Sequence, residues 1–421
     1  MLNPLVVSNK SSHNEDGIRS SESSTTLRWF RPLLLTLIFF ASSEAIARFG
    51  IATYLWGSIY VMFVFFTIRD FDSIIAMLKP NWFILALPLI TLLSVFWSSA
   101  PEWSLRASLQ LIFTSLIGIW IGSTFPPRTI FQTLCLGTGI GILASVVNEF
   151  IPFTKGYHEG EYIGAERFFL GIFNQKNAIG KIIDILSLSL IVVGIASRKS
   201  IVTITIVLLL WNTLIKAKSA STMLIYLFFL TLPVVWWIVN RIKYRALFAL
   251  FAWITFLLLL LTAVASSIDF IEQGLNSLGK DSTLTGRTYL WSVGWKTFLQ
   301  HPLLGVGYQA FWQEGASTTS QMITAVLDDL SGFHSAYVEV LVATGLLGFT
   351  AFLYMLVVTL WRCARWFSLV SSVESLGALF FVFSTIVYGF FDVVVFRQHE
   401  IYFLLIVIFA VVSYRQLQFE G

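Results

Sequence analysis

The chain is a series of long apolar runs separated by short polar links, with one long polar interruption. About twelve runs have the length that an α-helix needs to cross a hydrocarbon core of about 30 Å. They cover residues 31–49, 51–68, 81–98, 105–124, 129–150, 174–196, 200–216, 221–239, 246–265, 335–361, 372–391 and 400–414. The pattern predicts an all-α polytopic membrane protein with about twelve transmembrane helices.

The polar interruption, residues 266–333, separates the ninth run from the tenth. We therefore predict a disordered tail (1–27), helices 1–9 (28–265), a large loop (266–333), and helices 10–12 with a short C-terminus (334–421). The tail is polar and Ser-rich, as disordered segments are. A signal peptide is the alternative, since Ala45-Ile46-Ala47 resembles a cleavage site. Its polar leader is too long, however, and apolar sequence continues past Ala47.

Composition supports this class and excludes others. Of 421 residues, 57% are hydrophobic and 12% are charged, which excludes an ordinary soluble domain. The net charge is +4, but the basic residues are scattered between apolar runs and form no basic stripe, so nucleic acid is not an expected partner. Cys135 and Cys363 give no disulfide framework.

The distribution of basic residues predicts the orientation. Of the 27 Lys and Arg residues, 15 lie on the tail or on links of the same side, including the clusters at 198–199, 241–245 and 362–365. Because cytoplasmic links are enriched in Lys and Arg, we expect both termini in the cytoplasm and the large loop on the outer face. The expected location is the inner (cytoplasmic) membrane.

Several basic residues predicted to face outward lie at or inside helix ends, where charge is costly. They are Arg106, Lys176, Lys181, Lys216 and Lys218, with Arg167 in a nearby outward link. Charges at such depth usually face a cavity or a partner, and a cationic cavity implies an anionic ligand. Long loops tolerate charge in either topology, which accounts for Lys155, Lys280 and Lys296.

The large loop contains a predicted helix from about 287 to 300. Thr285 is its expected N-cap, and His301-Pro302 ends it. Its aromatic residues are typical of a helix lying in the lipid headgroup layer. Arg287 begins the helix, where backbone N–H groups, the helix dipole and a guanidinium would converge on phosphate oxygens. The alternative is that Arg287 only extends to lipid headgroups.

His334 opens the tenth apolar run. The positive end of a helix dipole favours the neutral imidazole, which can accept a proton, although a purely structural interfacial histidine remains the alternative. Glu339 lies inside the membrane by this count and needs a partner there. Asp328 and Asp329 form the only acidic pair near this region, but adjacent aspartates lack the spaced geometry of a metal motif. We expect no metal and no cofactor.

Four stretches together resemble the motifs of the O-antigen ligase and polysaccharide polymerase superfamily. They are WSSAPEWSLRAS (97–108), RFFLGIFNQKNAIG (167–180), GRTYLWSVGWKTFLQHPLLGVGYQAFW (286–312) and HSAYVEVLVATGLLG (334–348). The resemblance spans roughly residues 80 to 400. The form of the stretch around Lys176-Asn177 resembles the exopolysaccharide polymerase branch.

The resemblance implies a membrane glycosyltransferase that moves a glycan from undecaprenyl diphosphate to an acceptor hydroxyl at the periplasmic face. It implies membrane lipids and a glycan or lipid A core acceptor as partners, with a chain-length regulator and export proteins beside them. By motif match, Arg287 would bind the diphosphate and His334 would lie at the reaction centre. From the chemistry of the transfer, we expect His334 to be the base on the acceptor hydroxyl. Where the family carries Ser-Arg after the seventh helix, this chain has Lys216-Ala217-Lys218-Ser219, so either lysine could complete the clamp. Arg167 and Lys176 are expected as further contacts to donor phosphate or sugar.

Several functions compete with the expected polymerase. Within the enzyme class, the acceptor could be the growing polysaccharide, lipid A core (an O-antigen ligase) or a protein side chain. A flippase or exporter of lipid-linked oligosaccharide would share the cationic cavity, but transporters often show internal repeats, which this sequence lacks. A partner-binding subunit would leave the outward basic residues unexplained.

Overall fold

The computed structural model describes residues 30–158, 167–239, Arg241, 287–313 and 332–418. The predicted tail, the predicted ninth helix, Thr285 and the Asp328-Asp329 pair lie outside these residues, as does the side chain of Arg287. The predicted boundaries of the four segments therefore stay predictions.

The described residues form fourteen α-helices and one two-stranded antiparallel hairpin. The helices are α1 (Phe30–Ser42), α2 (Ala52–Arg69), α3 (Phe71–Leu78), α4 (Phe83–Leu93), α5 (Pro101–Thr124), α6 (Pro127–Phe150), α7 (Lys176–Ala196), α8 (Ser200–Ala217), α9 (Ala220–Leu230), α10 (Leu232–Val239), α11 (Arg287–Gln300), α12 (Ala336–Val370), α13 (Val373–Tyr388) and α14 (Ile401–Gln418). The strands β1 (Tyr157–His158) and β2 (Phe168–Phe169) pair Tyr157 with Phe169 and His158 with Phe168.

Seven of the described helical segments are long and apolar enough to cross a membrane. They are Ala52–Arg69, Pro101–Thr124, Pro127–Phe150, Lys176–Ala196, Ser221–Val239, Ala336–Val370 and Ile401–Gln418. A bent pair of helices adds an eighth candidate, and α1, most of α8, and α13 are shorter apolar helices. The prediction of an all-α polytopic membrane protein is confirmed, whereas the count of twelve helices stays a prediction.

The predicted third helix, 81–98, corresponds to the segment Phe83–Phe96, but a helical segment that was not predicted precedes it. Helical structure begins ten residues earlier, and the segments Phe71–Asn81 and Phe83–Phe96 meet at an angle of 84°. Pro80 cannot donate a backbone hydrogen bond, so the helix breaks there. The Asn81 amide donates to the Met77 carbonyl (2.7 Å), and Arg362 donates to the Asn81 side chain (2.5 Å), which fixes the bend.

Small residues allow the central helices to approach closely. Gly118 and Gly122 of α5 face Val407 and Val411 of α14, and a methyl group added to either glycine would lie less than 3 Å from its valine. Inside a membrane, such close packing substitutes for the hydrophobic effect in holding helices together. As a result α14 is buried along most of its length.

One end of the bundle is closed by arginines that were predicted to be cytoplasmic. Arg31 pairs with Asp70 (2.7 Å), which also accepts a hydrogen bond from the Trp120 indole. At the same end, Arg415 donates to the carbonyls of Ser123 and Phe125. The predicted site residues belong to links on the opposite side of the membrane pattern, and they lie at the other end of the bundle.

The tenth predicted helix is longer than expected and broken. Within α12, Gly345 has φ 61° and ψ −160°, which interrupts the helix. The segment 301–307 fills this break, because Leu346 donates its N–H to the Pro302 carbonyl (2.8 Å) and Val306 donates to the Val342 carbonyl (2.9 Å). Added Cβ atoms at Gly305 or Gly345 would lie about 2.5 Å from the facing backbone, so both positions require glycine.

Candidate active site

His334 is held at the start of α12 by a link to the end of α13. Ser335 is the extended N-cap residue, and Ala336 donates its N–H to the Gly389 carbonyl (2.8 Å). The Ser335 hydroxyl donates to the same carbonyl (3.3 Å). The backbone of His334 adopts a left-handed conformation (φ 51°). These contacts bring His334 beside the segment 389–400, which joins α13 to α14.

A chain of charged side chains leads inward from His334. The His334 Nδ1 lies 3.8 Å from Asp392 Oδ1, and Asp392 Oδ2 lies 4.0 Å from Lys181 Nζ. The same Lys181 Nζ lies 3.8 Å from Glu400 Oε1. The side chain of His334 is 29% exposed and that of Glu400 only 3%, so the imidazole is the accessible member of the series.

Asp392 is ionised in this environment. Burial alone would raise its pKa, but the Lys181 ammonium, the His334 imidazole and the Arg397 guanidinium together hold the pKa of Asp392 below its usual range. A carboxylate that faces Nδ1 favours the tautomer with its proton on Nδ1. The lone pair of Nε2 is then available to accept a proton.

Glu339, for which no partner could be predicted, accepts hydrogen bonds from two groups. Its carboxylate accepts hydrogen bonds from the backbone N–H of Phe333 (2.9 Å) and from the indole of Trp312 (3.2 Å). An added methyl group at Gly332 would lie 2.7 Å from Arg397 Nη2 and 3.5 Å from Glu339 Oε2, so both charged groups border this glycine. Glu339 thus stabilises the turn that precedes His334.

The predicted helix in the large loop is confirmed as α11, Arg287–Gln300. The indole of Trp291 donates to the carbonyl of Phe333 (2.9 Å), the residue before His334. Because Trp291 follows Arg287 by about one turn, the N-terminal turn of α11 lies close to His334. Leu290 and Val293 are buried, whereas Trp295 and Leu299 are exposed, as expected for a helix with one face toward lipid headgroups.

A second polar region, which we call the hairpin groove, is built around β1 and β2. The Arg167 guanidinium lies 4.2 Å from the centre of the Tyr157 ring, and Lys176 Nζ lies 5.0 Å from the centre of the Phe168 ring. Both are cation–π contacts, and Arg167 and Tyr157 also line a pocket of about 570 Å³. Its described lining contains three basic residues, Arg48, Lys155 and Arg167, and one carboxylate, Glu149.

Glu149 joins three elements at the edge of the groove. Its carboxylate accepts hydrogen bonds from Lys216 Nζ (2.7 Å), at the end of α8, and from the hydroxyl of Tyr157 (2.8 Å). Burial and the hydrogen bond that its hydroxyl donates to this carboxylate both raise the pKa of Tyr157. Lys216, one of the two candidates for the clamp, is therefore paired within the protein.

The predicted site residues fall into these two regions. Within the part of the chain that the structure describes, Arg167, Lys176 and Lys216 contact Tyr157, Phe168 and Glu149 rather than His334. Lys218 directly follows α8, where its backbone is left-handed (φ 51°), and it is exposed. The next residue, Ser219, donates to the Asn177 side chain (2.9 Å) and so ties this corner to α7.

A short segment between α1 and α2 connects the two regions. Glu44 borders a small cavity with Lys181 and Glu400. Four residues later, Arg48 donates to the Asn174 side chain (3.0 Å) and to the Lys155 carbonyl (2.5 Å) at the groove. The groove and the charged chain behind His334 are therefore neighbours at one end of the bundle.

Several residues of this site were not predicted from the sequence. Asp392, Arg397 and Glu400 received no role, and Lys181 was noted only as a basic residue at unexpected depth. The signal was present, because three charged residues and His399 fall within nine positions (392–400) between two apolar runs. Among the described residues, no three His, Cys, Asp or Glu side chains converge as a metal site.

The chain is similar in sequence to a known family and to a known protein. Residues 204–353, which include α11 and His334, match a family model described as O-Antigen ligase. The Exopolysaccharide production protein ExoQ of Rhizobium meliloti (strain 1021) is 27% identical over 328 residues, which cover 75% of this chain and 72% of the relative. By these two matches, the chain is similar to proteins of the O-antigen ligase superfamily.

This similarity confirms the predicted resemblance to that superfamily. It supports a membrane glycosyltransferase of the ligase or polymerase type, with lipid-linked glycans as the expected substrate class. Arg287, Lys216, Lys218 and His334 all lie within the matched residues. Arg167, Lys176, Lys181 and Asp392 lie outside them, so their assignment depends on the geometry described above.

Proposed function

We propose that this protein is an exopolysaccharide polymerase. It would transfer an undecaprenyl-diphosphate-linked oligosaccharide to the hydroxyl of an acceptor glycan at the outer face of the cytoplasmic membrane. The observation that carries the proposal is the accessible imidazole of His334, with the ionised Asp392 at its Nδ1 and the N-terminal turn of α11 beside it. The name of the R. meliloti relative, an exopolysaccharide production protein, favours exopolysaccharide as the product.

His334 is proposed as the general base. The acceptor hydroxyl oxygen forms a bond to the anomeric carbon of the donor, and the bond from that carbon to the diphosphate oxygen breaks. The hydroxyl proton passes to Nε2 of His334, and undecaprenyl diphosphate leaves with the bonding electrons. A positioned base contributes about 10²- to 10⁴-fold to such a step. Asp392 then stabilises the imidazolium that forms.

The leaving diphosphate needs positive charge. Arg287 is proposed to bind it at the N-terminus of α11, where backbone N–H groups add to the attraction. The hairpin groove supplies further cations, with Arg167 and Lys176 in contact with donor phosphate or sugar and Lys216 or Lys218 completing the clamp. Because Lys216 is paired with Glu149 in this structure, its use requires that the ligand displace the carboxylate.

No metal is proposed for this reaction. Diphosphate is already a good leaving group, and fixed cations can stabilise its developing charge. We expect activity to survive a chelator, and a loss that magnesium or manganese restores would contradict this expectation.

The proposed orientation places both termini in the cytoplasm. The arginines at 31, 362 and 415 share the closed end of the bundle, as the excess of basic residues on cytoplasmic links predicts. His334 and the groove then face the periplasm. Cysteine labelling at Lys199 and at Lys155 with a membrane-impermeant reagent tests this orientation, since only position 155 should react in intact spheroplasts.

An O-antigen ligase is the second candidate, because the matching family model carries that description. A ligase would use the same donor and the same base but would take lipid A core as acceptor.

The glycan profile of cells that lack the protein separates these functions. A polymerase predicts that single repeat units remain while long chains disappear. A ligase predicts that long chains persist on undecaprenyl diphosphate but are missing from lipid A core. Wild-type protein should restore the profile and His334→Ala should not. An unchanged profile in the deletion strain would contradict both functions and would favour an exporter or transfer to a protein side chain.

A further inference from the structure

Lys181 has an unusual position for a lysine. It lies in the second turn of α7, near the positive end of the helix dipole, where a cation weakens rather than stabilises a helix. Its side chain is only 11% exposed, so its charge is also largely removed from water. Burial and dipole both oppose the charge, and the surrounding carboxylates must compensate for it.

The charges around Lys181 come from several elements. Asp392 Oδ2 lies 4.0 Å from its Nζ and Glu400 Oε1 lies 3.8 Å away, both in the segment between α13 and α14. Glu44, before α2, borders the same small cavity. Arg397 also acts electrostatically on Asp392 and Lys181. Asp392 is the member of this group that reaches His334.

The two oxygens of Asp392 have different partners. Oδ2 faces Lys181, whereas Oδ1 faces His334 Nδ1 and accepts a hydrogen bond from the backbone N–H of Val393 (2.8 Å). A carboxylate with one oxygen held on each side cannot rotate freely. The position of the Lys181 ammonium therefore determines which oxygen is presented to the imidazole.

We propose that Lys181 is a positioning residue for glycosyl transfer, which orients Asp392 so that His334 keeps its Nδ1 proton and presents Nε2 to the acceptor hydroxyl. This inference rests on the proposed function, because it assumes that His334 is the base. Without Lys181, Arg397 remains close to Asp392 and draws the carboxylate toward its own side. His334 then loses its partner although Asp392 is still charged.

The test uses full-length protein in lipid nanodiscs. The substrate is lipid-linked oligosaccharide extracted from cells that lack this protein, and the readout is kcat and KM for chain extension. We compare the wild type with Lys181→Met, Lys181→Arg, His334→Ala and, as a matched control, Lys199→Met in the link between α7 and α8. Folded protein is quantified for each variant by size-exclusion chromatography.

We expect Lys181→Met to lower kcat by about 100-fold, the effect of a misplaced reacting group, while KM changes less than about 2-fold. Lys181→Arg should recover most of the lost kcat, because it restores a cation at the same place. Lys199→Met should match the wild type. A Lys181→Met enzyme with kcat within about 2-fold of the wild type would overturn the inference.

The double variant Lys181→Met/Glu400→Gln distinguishes positioning from stability. It removes the ammonium together with its second carboxylate, so it relieves the buried charge imbalance and should be folded even if the single variant is not. Positioning predicts that kcat stays low in the double variant. Recovery to the wild-type kcat would mean that Lys181 only balances charge. If His334→Ala kept full activity, the proposed function would fail first, whatever the lysine variants showed.

Discussion

The charged chain behind His334 and the hairpin groove use similar side chains in opposite ways. In the chain, Lys181 and Asp392 are nearly enclosed, and positive and negative groups alternate. In the groove, basic residues outnumber the single carboxylate in the described lining, and Lys216 is 41% exposed. Arg167 and Lys176 are held over aromatic rings rather than by buried counter-charges.

This difference indicates that the two regions have different functions. Enclosed groups of alternating charge have fixed positions and interact strongly, because little water screens them. Such an arrangement suits bond making, which needs a base at a defined place. Exposed cations on long side chains can follow a ligand and lose few favourable contacts in doing so, which suits the binding of an anionic substrate. We therefore expect variants in the chain to change kcat and variants in the groove to change KM.

The largest effect is expected for His334→Ala. Loss of a positioned base should reduce kcat by about 10²- to 10⁴-fold, with little change in KM for the lipid-linked donor. Chain extension by the purified protein measures both constants. Arg128→Ala, at the opposite end of the bundle, is the control for a lost side chain. If the affinity for the donor fell as much as kcat, His334 would act in substrate binding rather than as the base.

Asp392→Asn should have the next largest effect, about 100-fold on kcat, because the imidazole loses the carboxylate that orients it. The pKa of Asp392 is held below its usual range, so the carboxylate stays ionised at and above neutral pH and is protonated only in acid. Wild-type turnover between pH 6 and 9 is therefore not limited by protonation of Asp392. The Asn variant should be slow across that whole range, and recovery of its rate at pH 9 would contradict this role.

In the groove, Arg167→Ala should raise KM for the donor by about 10-fold and leave kcat nearly unchanged. That loss corresponds to about 1.4 kcal/mol, close to the lower limit for a hydrogen bond to a charged group. Arg167→Lys tests whether charge alone is sufficient. If both variants lowered kcat as strongly as Asp392→Asn, the proposed division between the two regions would be wrong.

The smallest effect is expected for Glu149→Gln. The change keeps a hydrogen-bond acceptor for Tyr157 but removes the charge that pairs with Lys216. Donor KM should fall by about 3-fold, because an exposed ion pair is worth about 0.2–1 kcal/mol and need no longer be broken. The gain should vanish in Glu149→Gln/Lys216→Met. A higher KM in the single variant would mean that Glu149 itself binds the substrate.

Local features of the site were predictable, and contacts between distant segments were not. Pro302 and the polar start at Arg287 define α11 from sequence alone, and its observed range agrees with the prediction. The bend after Pro80 was missed because the apolar pattern of a membrane helix begins only after this proline. The helix that precedes it was therefore not predicted. Lys181 and Asp392 are 211 positions apart, and no periodicity indicates that they meet. The same holds for Lys216 and Glu149, whose pairing depends on how α6 and α8 end.

The docking of segment 301–307 into the break in α12 has an evolutionary consequence. Two backbones that touch at Gly305 and Gly345 leave no room for a side chain on either, so neither position can drift independently. A substitution at one should be tolerated only with a compensating shift at the other. Homologous sequences should therefore show these two glycines retained or replaced together, even where the glycans they handle have diverged.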